Sequence, residues 1–156
     1  MRRRRSGGDS GGFLLREREC LMRLLVQLHQ LNDWALLALR LGLGAVFLVH
    51  GSQKWGTWRA QPSAHLPARM LSILRFLSVA EPLGGMAVLA GLLTQPATLG
   101  LAVVMLGAVR LKAGQMHRIF TGEGGWEFEY ILFAAAVTLF ITGAGRLSLD
   151  RLLFGI

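Results

Sequence analysis

Four charged side chains interrupt the apolar stretches of this chain: Arg40, Arg75, Glu81 and Arg110. An ionisable group inside such a stretch is costly, so it marks a partner, a cavity or a proton path. Glu81 is the one acid among them. Paired with Arg110 or Arg40, it is a candidate catalytic group that holds a proton or hydrogen-bonds a carbonyl, or else a structural ion pair. His50, Lys54, His117, Glu127 and Tyr130 stand at the ends of the same stretches and are candidate ligand-binding residues around it. His50 and His117 are also of the type that ligates a b-type haem. The lone cysteine, Cys20, allows no intramolecular disulfide, no CxxC redox pair and no multi-cysteine metal site. No metal and no firmly held cofactor is expected.

Helical phase brings several of these residues together. Arg40, Gly44, Phe47, Gly51 and Lys54 form one stripe. Glu81 shares a face with Gly84, Gly85 and Val88, and Arg110 with Gly107, Gly114 and His117. Glycine permits close helix approach, so each charge is expected to face inward. Counted from the cytoplasmic ends, Glu81 sits about 18 Å up, Arg110 about 20 Å and Arg40 about 10 Å, with a side chain long enough to climb. The start of the last helix, with Glu127 and Tyr130 on one face, lies about 20–24 Å up. A polar chamber in the outer half of the bundle is the expectation. Glu129 lies about 200° from Glu127 on an ideal helix, so only one of them need face inward. Glu127 is favoured because it follows a Gly-Gly-aromatic turn.

The elements that must position these residues are hydrophobic helices. Of 156 residues, 53% are hydrophobic and 17% charged, and the mean hydropathy is +0.46. A soluble domain carries about a quarter charged residues. Disorder is excluded by the same numbers. Four apolar segments are expected at about 33–52, 70–93, 97–111 (reaching 115 at most) and 127–143. Membrane spans need about 17–25 residues, so the last two borrow flanking residues. A soluble helical bundle is the rival, but the segments lack the polar stripe it requires. Trp55 and Trp58, in the long first loop, suit a membrane interface. Pro82 is expected to kink the second helix.

The net charge of +8 is divided evenly. Residues before 32 carry +4, concentrated in Arg2 to Arg5, and the remainder carries +4. Residues 1–12 read as a disordered basic arm with a Gly-rich linker, not as a signal peptide, because no apolar core follows the arginines. Phe13 to Leu31 read as an amphipathic surface helix, with Leu14, Leu21, Leu24, Leu28 and Leu31 at helical spacing. Residues 1–32 thus form an arm and residues 33–156 a four-span domain. The basic arm argues for both termini in the cytoplasm. No basic and aromatic interleaving on a polar surface supports nucleic-acid binding. The fold class is all-α: an integral membrane four-helix bundle, N-in and C-in.

These residues resemble a known family. Arg40-Leu-Gly-Leu-Gly-Ala-Val-Phe-Leu-Val-His50-Gly51-Ser-Gln-Lys54 is similar to the first-helix pattern of the DoxX family. Glu81-Pro-Leu-Gly84-Gly85, running on through Leu89-Ala90-Gly91-Leu-Leu-Thr94, resembles its second-helix motif. Gly124-Gly125-Trp126-Glu127 resembles the start of its fourth helix. Gly143-Ala-Gly145-Arg146-Leu-Ser148-Leu-Asp150 resembles its terminal signature. The likeness covers about residues 35–152, and the long Arg-rich extension and the Trp-containing first loop depart from it. It implies a multi-pass protein of the cytoplasmic membrane and a subunit role in a redox system, with quinone as the candidate ligand, as in thiosulfate:quinone oxidoreductases. It also implies soluble or membrane redox enzymes as partners. A non-catalytic scaffold and an oligomeric small-solute or ion carrier are the alternatives. The terminal motif has its own physical reading: glycines at positive φ ending a helix, then Ser148 and Asp150 capping the backbone, an anchor in preference to a catalytic element.

Overall fold

The computed structural model describes residues 10–64 and 66–155, and they are helical throughout apart from loops and one isolated bridge between Ser63 and Leu66. Six α-helices follow in order: α1 Ser10–His29, α2 Asn32–Gln53, α3 Ala68–Ala90, α4 Thr94–Val109, α5 Glu127–Thr142 and α6 Leu149–Phe154. A 3₁₀ turn, Lys54–Trp58, extends α2, and a π-helical segment, Arg110–Gln115, extends α4. The arginines of the basic arm lie outside the described residues. α1 begins at Ser10, inside the stretch expected as linker. Its described side chains are exposed, including Leu21, Met22 and Val26. Those of Leu14, Leu24 and Leu28 lie outside the described set.

Three helical segments are long and apolar enough to cross a membrane: Asn32–Trp58, Ala68–Ala90 and Thr94–Gln115. α5, at 16 residues, is about 24 Å long and lies antiparallel along α4. The outward faces are strongly apolar: Phe76, Val103, Ile131 and Ile141 are each more than 60% exposed. Such a girdle has no place in water and is what hydrocarbon solvates. The chain is a multi-pass membrane protein.

The bundle is built from two antiparallel hairpins, α2 with α3 and α4 with α5. α2 and α3 meet through glycine. A Cβ on Gly44 would stand 2.8 Å from the Gly85 carbonyl oxygen, and one on Gly51 would overlap the Pro82 ring. The shared core is Leu36, Leu43, Phe47, Val88, Leu101, Ala102, Met105, Leu132, Ala136 and Leu139. Pro82 sits inside the unbroken α3. Lacking an N–H, it leaves the Ser78 carbonyl free, and the Trp55 indole donates to that oxygen at 3.1 Å. The Trp58 indole donates to Ser78 Oγ at 2.8 Å. Arg75 donates to the carbonyls of Thr57 and Ala60. The first loop is thereby fastened to α3.

The opposite end is closed by the chain's last segment. α3 stops at Gly91, whose φ of 64° needs no Cβ. Leu92 N–H donates to Ala87 O and Gly91 N–H to Val88 O, a Schellman ending. That is why α3 finishes before residue 93. Leu93 offers no capping side chain to α4. Asp150 supplies it from α6, accepting from Leu93 N–H at 2.6 Å and Thr94 N–H at 2.9 Å. Asp33 accepts from Arg146 N–H at 2.8 Å, so the start of α2 and the end of α5 share this side. Gly143 and Gly145 take positive φ, and Ser148 caps α6, as the terminal motif implies.

Candidate binding chamber

α3 and α4 are joined through only Gly91, Leu92 and Leu93. At the other end of the bundle the four helices line a half-open chamber of about 670 Å³. Met70, Ile73, Leu74, Leu77, Val104, Met105 and Leu111 form its apolar walls. His50, Lys54, Arg69, Glu81, Arg110, Gln115 and Glu129 supply its polar groups. Gly107 also lines it, and with no side chain it leaves the space open. Size and lining are those of small-molecule sites, mostly apolar with a few convergent polar groups.

Glu81 is the most buried of these, 1% exposed. Lys54 Nζ forms a short ion pair with its Oε2 and lies 3.3 Å from the His50 carbonyl. The pairing follows from helix geometry. Side chains lean toward the N-terminus of their own helix. On α3 that tilt carries Glu81 toward the chamber end, where Lys54 reaches it from the turn after α2. A buried carboxylate of this kind persists because it is paired.

The second hairpin repeats the device. Lys112, on the π segment after α4, donates to Glu129 Oε1 at 2.6 Å and to the Gly125 carbonyl at 3.0 Å. Glu129 is 9% exposed, and its Oε2 is buried without a hydrogen-bond partner. Each hairpin thus brings one Lys–Glu pair to the same end, lysine after the first helix and glutamate on the second. The two pairs are neutral together. Arg69 and Arg110 add positive charge with no carboxylate within ion-pair distance among the described residues.

Of the residues singled out in the sequence, Glu81, Lys54, His50 and Arg110 meet at the chamber. Arg40 does not. Its guanidinium is 1% exposed at the terminal-strap end and donates to Val88 O, Ala144 O, Leu147 O and Leu89 O at 2.7–3.0 Å. The N-terminal tilt of α2 side chains carries it away from Glu81, not up to it. Glu81 accordingly takes Lys54 as its partner, in place of Arg40 or Arg110. Glu129, not Glu127, is the inward acid. It shares a stripe with Leu132, Ala136 and Leu139, all buried, whereas Glu127 is half-buried and outside the lining. Tyr130 is exposed and joins Phe120 and Trp126 in an aromatic cluster. His117 is exposed at φ 49°. His50 packs its ring on Phe128, 5.4 Å between centroids. Gly107 of α4 and Gly114 of the π segment have open space at their Cβ positions, so that face is not a close helix contact.

Lys112 carries no signal in the sequence, because a lysine at the end of an apolar stretch is ordinary there. Glu129 was legible: its 129, 132, 136, 139 spacing is the apolar face of α5.

The arrangement defines a class, a small helical membrane protein with two lysine-paired, buried glutamates lining a mostly apolar chamber at one end of the bundle. Comparison with known proteins names the family. The DoxX family model matches residues 35–114. A protein of Bacillus subtilis (strain 168), named "Putative oxidoreductase CatD", is 34% identical over 125 residues, covering 76% of this chain and 86% of its own length. No solved structure matches. The chain belongs to the DoxX family.

Proposed function

We propose that this protein is the membrane component of a redox system and that its chamber binds the head group of a quinone. The observation that carries the reading is the Lys54–Glu81 pair, its carboxylate buried, at a chamber whose walls are mostly apolar. A quinone is an apolar ring with two carbonyl acceptors. Lys54, Arg69, Arg110 and Gln115 line the chamber and carry donors for them. Glu81 is placed to exchange the proton that a carbonyl oxygen gains on reduction. The oxidoreductase name of the Bacillus relative supports the same direction. Electrons come in this reading from a partner enzyme, thiosulfate-linked or otherwise, held at the membrane.

The strap end bears on the carrier alternative. Core residues such as Leu36, Leu101 and Leu139, with the Arg40 network beneath them, fill the half of the bundle below the chamber. A blind chamber supports binding over passage. We place the protein in the cytoplasmic membrane with the strap end inward, following the basic arm. Self-association would cover part of the exposed apolar girdle.

The experiment is titration of the purified protein, in lipid nanodiscs, with a short-chain benzoquinone. Saturable binding that Lys54→Met weakens by roughly tenfold or more supports the reading. Folded protein that binds no quinone overturns it.

A further inference from the structure

α3 and α4 splay apart where they line the chamber. At the strap end the short link through Gly91, Leu92 and Leu93 holds them together. There Gly84 admits Leu101 so closely that a Cβ on the glycine would stand 2.9 Å from a Leu101 methyl. Beyond that contact the facing stripes loosen. On α3, Glu81 is 1% exposed, while Leu77, Leu74 and Met70, at helical spacing from it, are only half-buried. On α4, Leu101 is buried, while Val104, Ala108 and Leu111 are only half-buried. Side chains turned toward a neighbouring helix yet left half-exposed mark a gap between the two. The gap is a wedge about 16 Å long from Glu81 to Met70.

The wedge opens toward lipid. Its lips are Ile73 of α3, 46% exposed, and Gly107 of α4, exposed, where a Cβ would have nothing within 4 Å. Phe76, Val103 and Leu106, on the same two helices, belong to the exposed apolar girdle. The polar groups His50, Lys54 and Glu129 come from the other two helices and the 3₁₀ turn, across the space from the lips.

We infer that the chamber is loaded sideways from the bilayer, between α3 and α4, by an amphiphile whose polar ring enters first and whose apolar tail stays in the lipid between Ile73 and Gly107. This rests on the quinone reading above and deepens it by naming the ligand class, a tailed quinone dissolved in the membrane. The tail gains little by touching the cleft, because lipid is as apolar as leucine. What the opening supplies is room. A tail of any length is accommodated, whereas a pocket entered from water would have to enclose the tail or leave it wet.

The test uses nanodiscs and two ligands with one head group, a short-chain benzoquinone and the same ring with a long isoprenoid tail, their affinities expressed by concentration in the lipid. Wild-type protein is expected to bind both with similar affinity. Gly107→Phe sets a ring in the gap and should weaken the long-tailed ligand relative to the short one by roughly tenfold or more. Ile73→Trp narrows the gap from the other lip and should do the same, so either variant decides if the other does not fold. Gly100→Phe lies about two turns nearer the strap, also with open space at its Cβ and outside the lining, and should leave the ratio unchanged. Wild-type protein that binds the short ligand and excludes the long one overturns this inference and leaves quinone binding standing. So does an unchanged ratio in the lip variants, or an equal change in Gly100→Phe. Folded wild-type protein that binds neither ligand overturns both.

Discussion

Replacing Arg40 should destabilise the bundle without touching the chamber. Its side chain makes four hydrogen bonds of 2.7–3.0 Å to carbonyls of Val88, Leu89, Ala144 and Leu147, at 1% exposure. A charged hydrogen bond is worth about 1.5–3 kcal/mol taken singly. Four do not add, because the guanidinium was also desolvated; breaking such a buried network costs about 3–5 kcal/mol in total. Against a domain stability of roughly 5–15 kcal/mol, that removes a large share. Arg40→Met keeps most of the packing volume and loses all four bonds. Arg40→Lys keeps the charge but not the planar fork that reaches two helices and the strap at once, so it too should be destabilised. The assay is thermal unfolding in mild detergent, followed by the fraction remaining monodisperse, beside quinone affinity of whatever stays folded. The reasoning is refuted if Arg40→Met unfolds within about 1 kcal/mol of wild type, or if it keeps full stability while losing ligand affinity.

Gly51→Ala should destabilise the α2–α3 contact, because its Cβ overlaps the Pro82 ring, whereas Gly42→Ala, with open space at that position, should be neutral in the same unfolding assay. Asp150→Ala strips the cap from Leu93 and Thr94 N–H and should cost about 1–2 kcal/mol by thermal unfolding. Lys54→Met leaves Glu81 buried and unpaired and should cost about 3–5 kcal/mol, with Lys54→Met/Glu81→Gln recovering part of the loss; additive single effects in that double-mutant cycle would contradict the pairing.

The helices were legible because each is an unbroken apolar run: α2 and α5 lie within one residue of the expected segments, 33–52 and 127–143. α3 and α4 differ by about three residues at Gly91 and Leu93, where positive φ, not hydrophobicity, sets the boundary. Glu81, Lys54, His50 and Arg110 were legible as one cluster because depth along a helix follows from counting residues. Arg40 was misplaced because counting gives the height of a Cα and not the direction of a long side chain. Glu127 was preferred over Glu129 on the turn before it, although the spacing of Leu132, Ala136 and Leu139 already pointed to Glu129. The trans-cap from Asp150 could not be read from spacing alone, since it joins residues 56 apart.

Quinone titration of wild-type protein and Glu81→Gln, both confirmed folded in nanodiscs, tests the central claim most directly. Saturable binding to wild type, weakened roughly tenfold or more in Glu81→Gln, is the expected result. Wild-type protein that binds no quinone, or a Glu81→Gln protein that binds it equally well, contradicts the account.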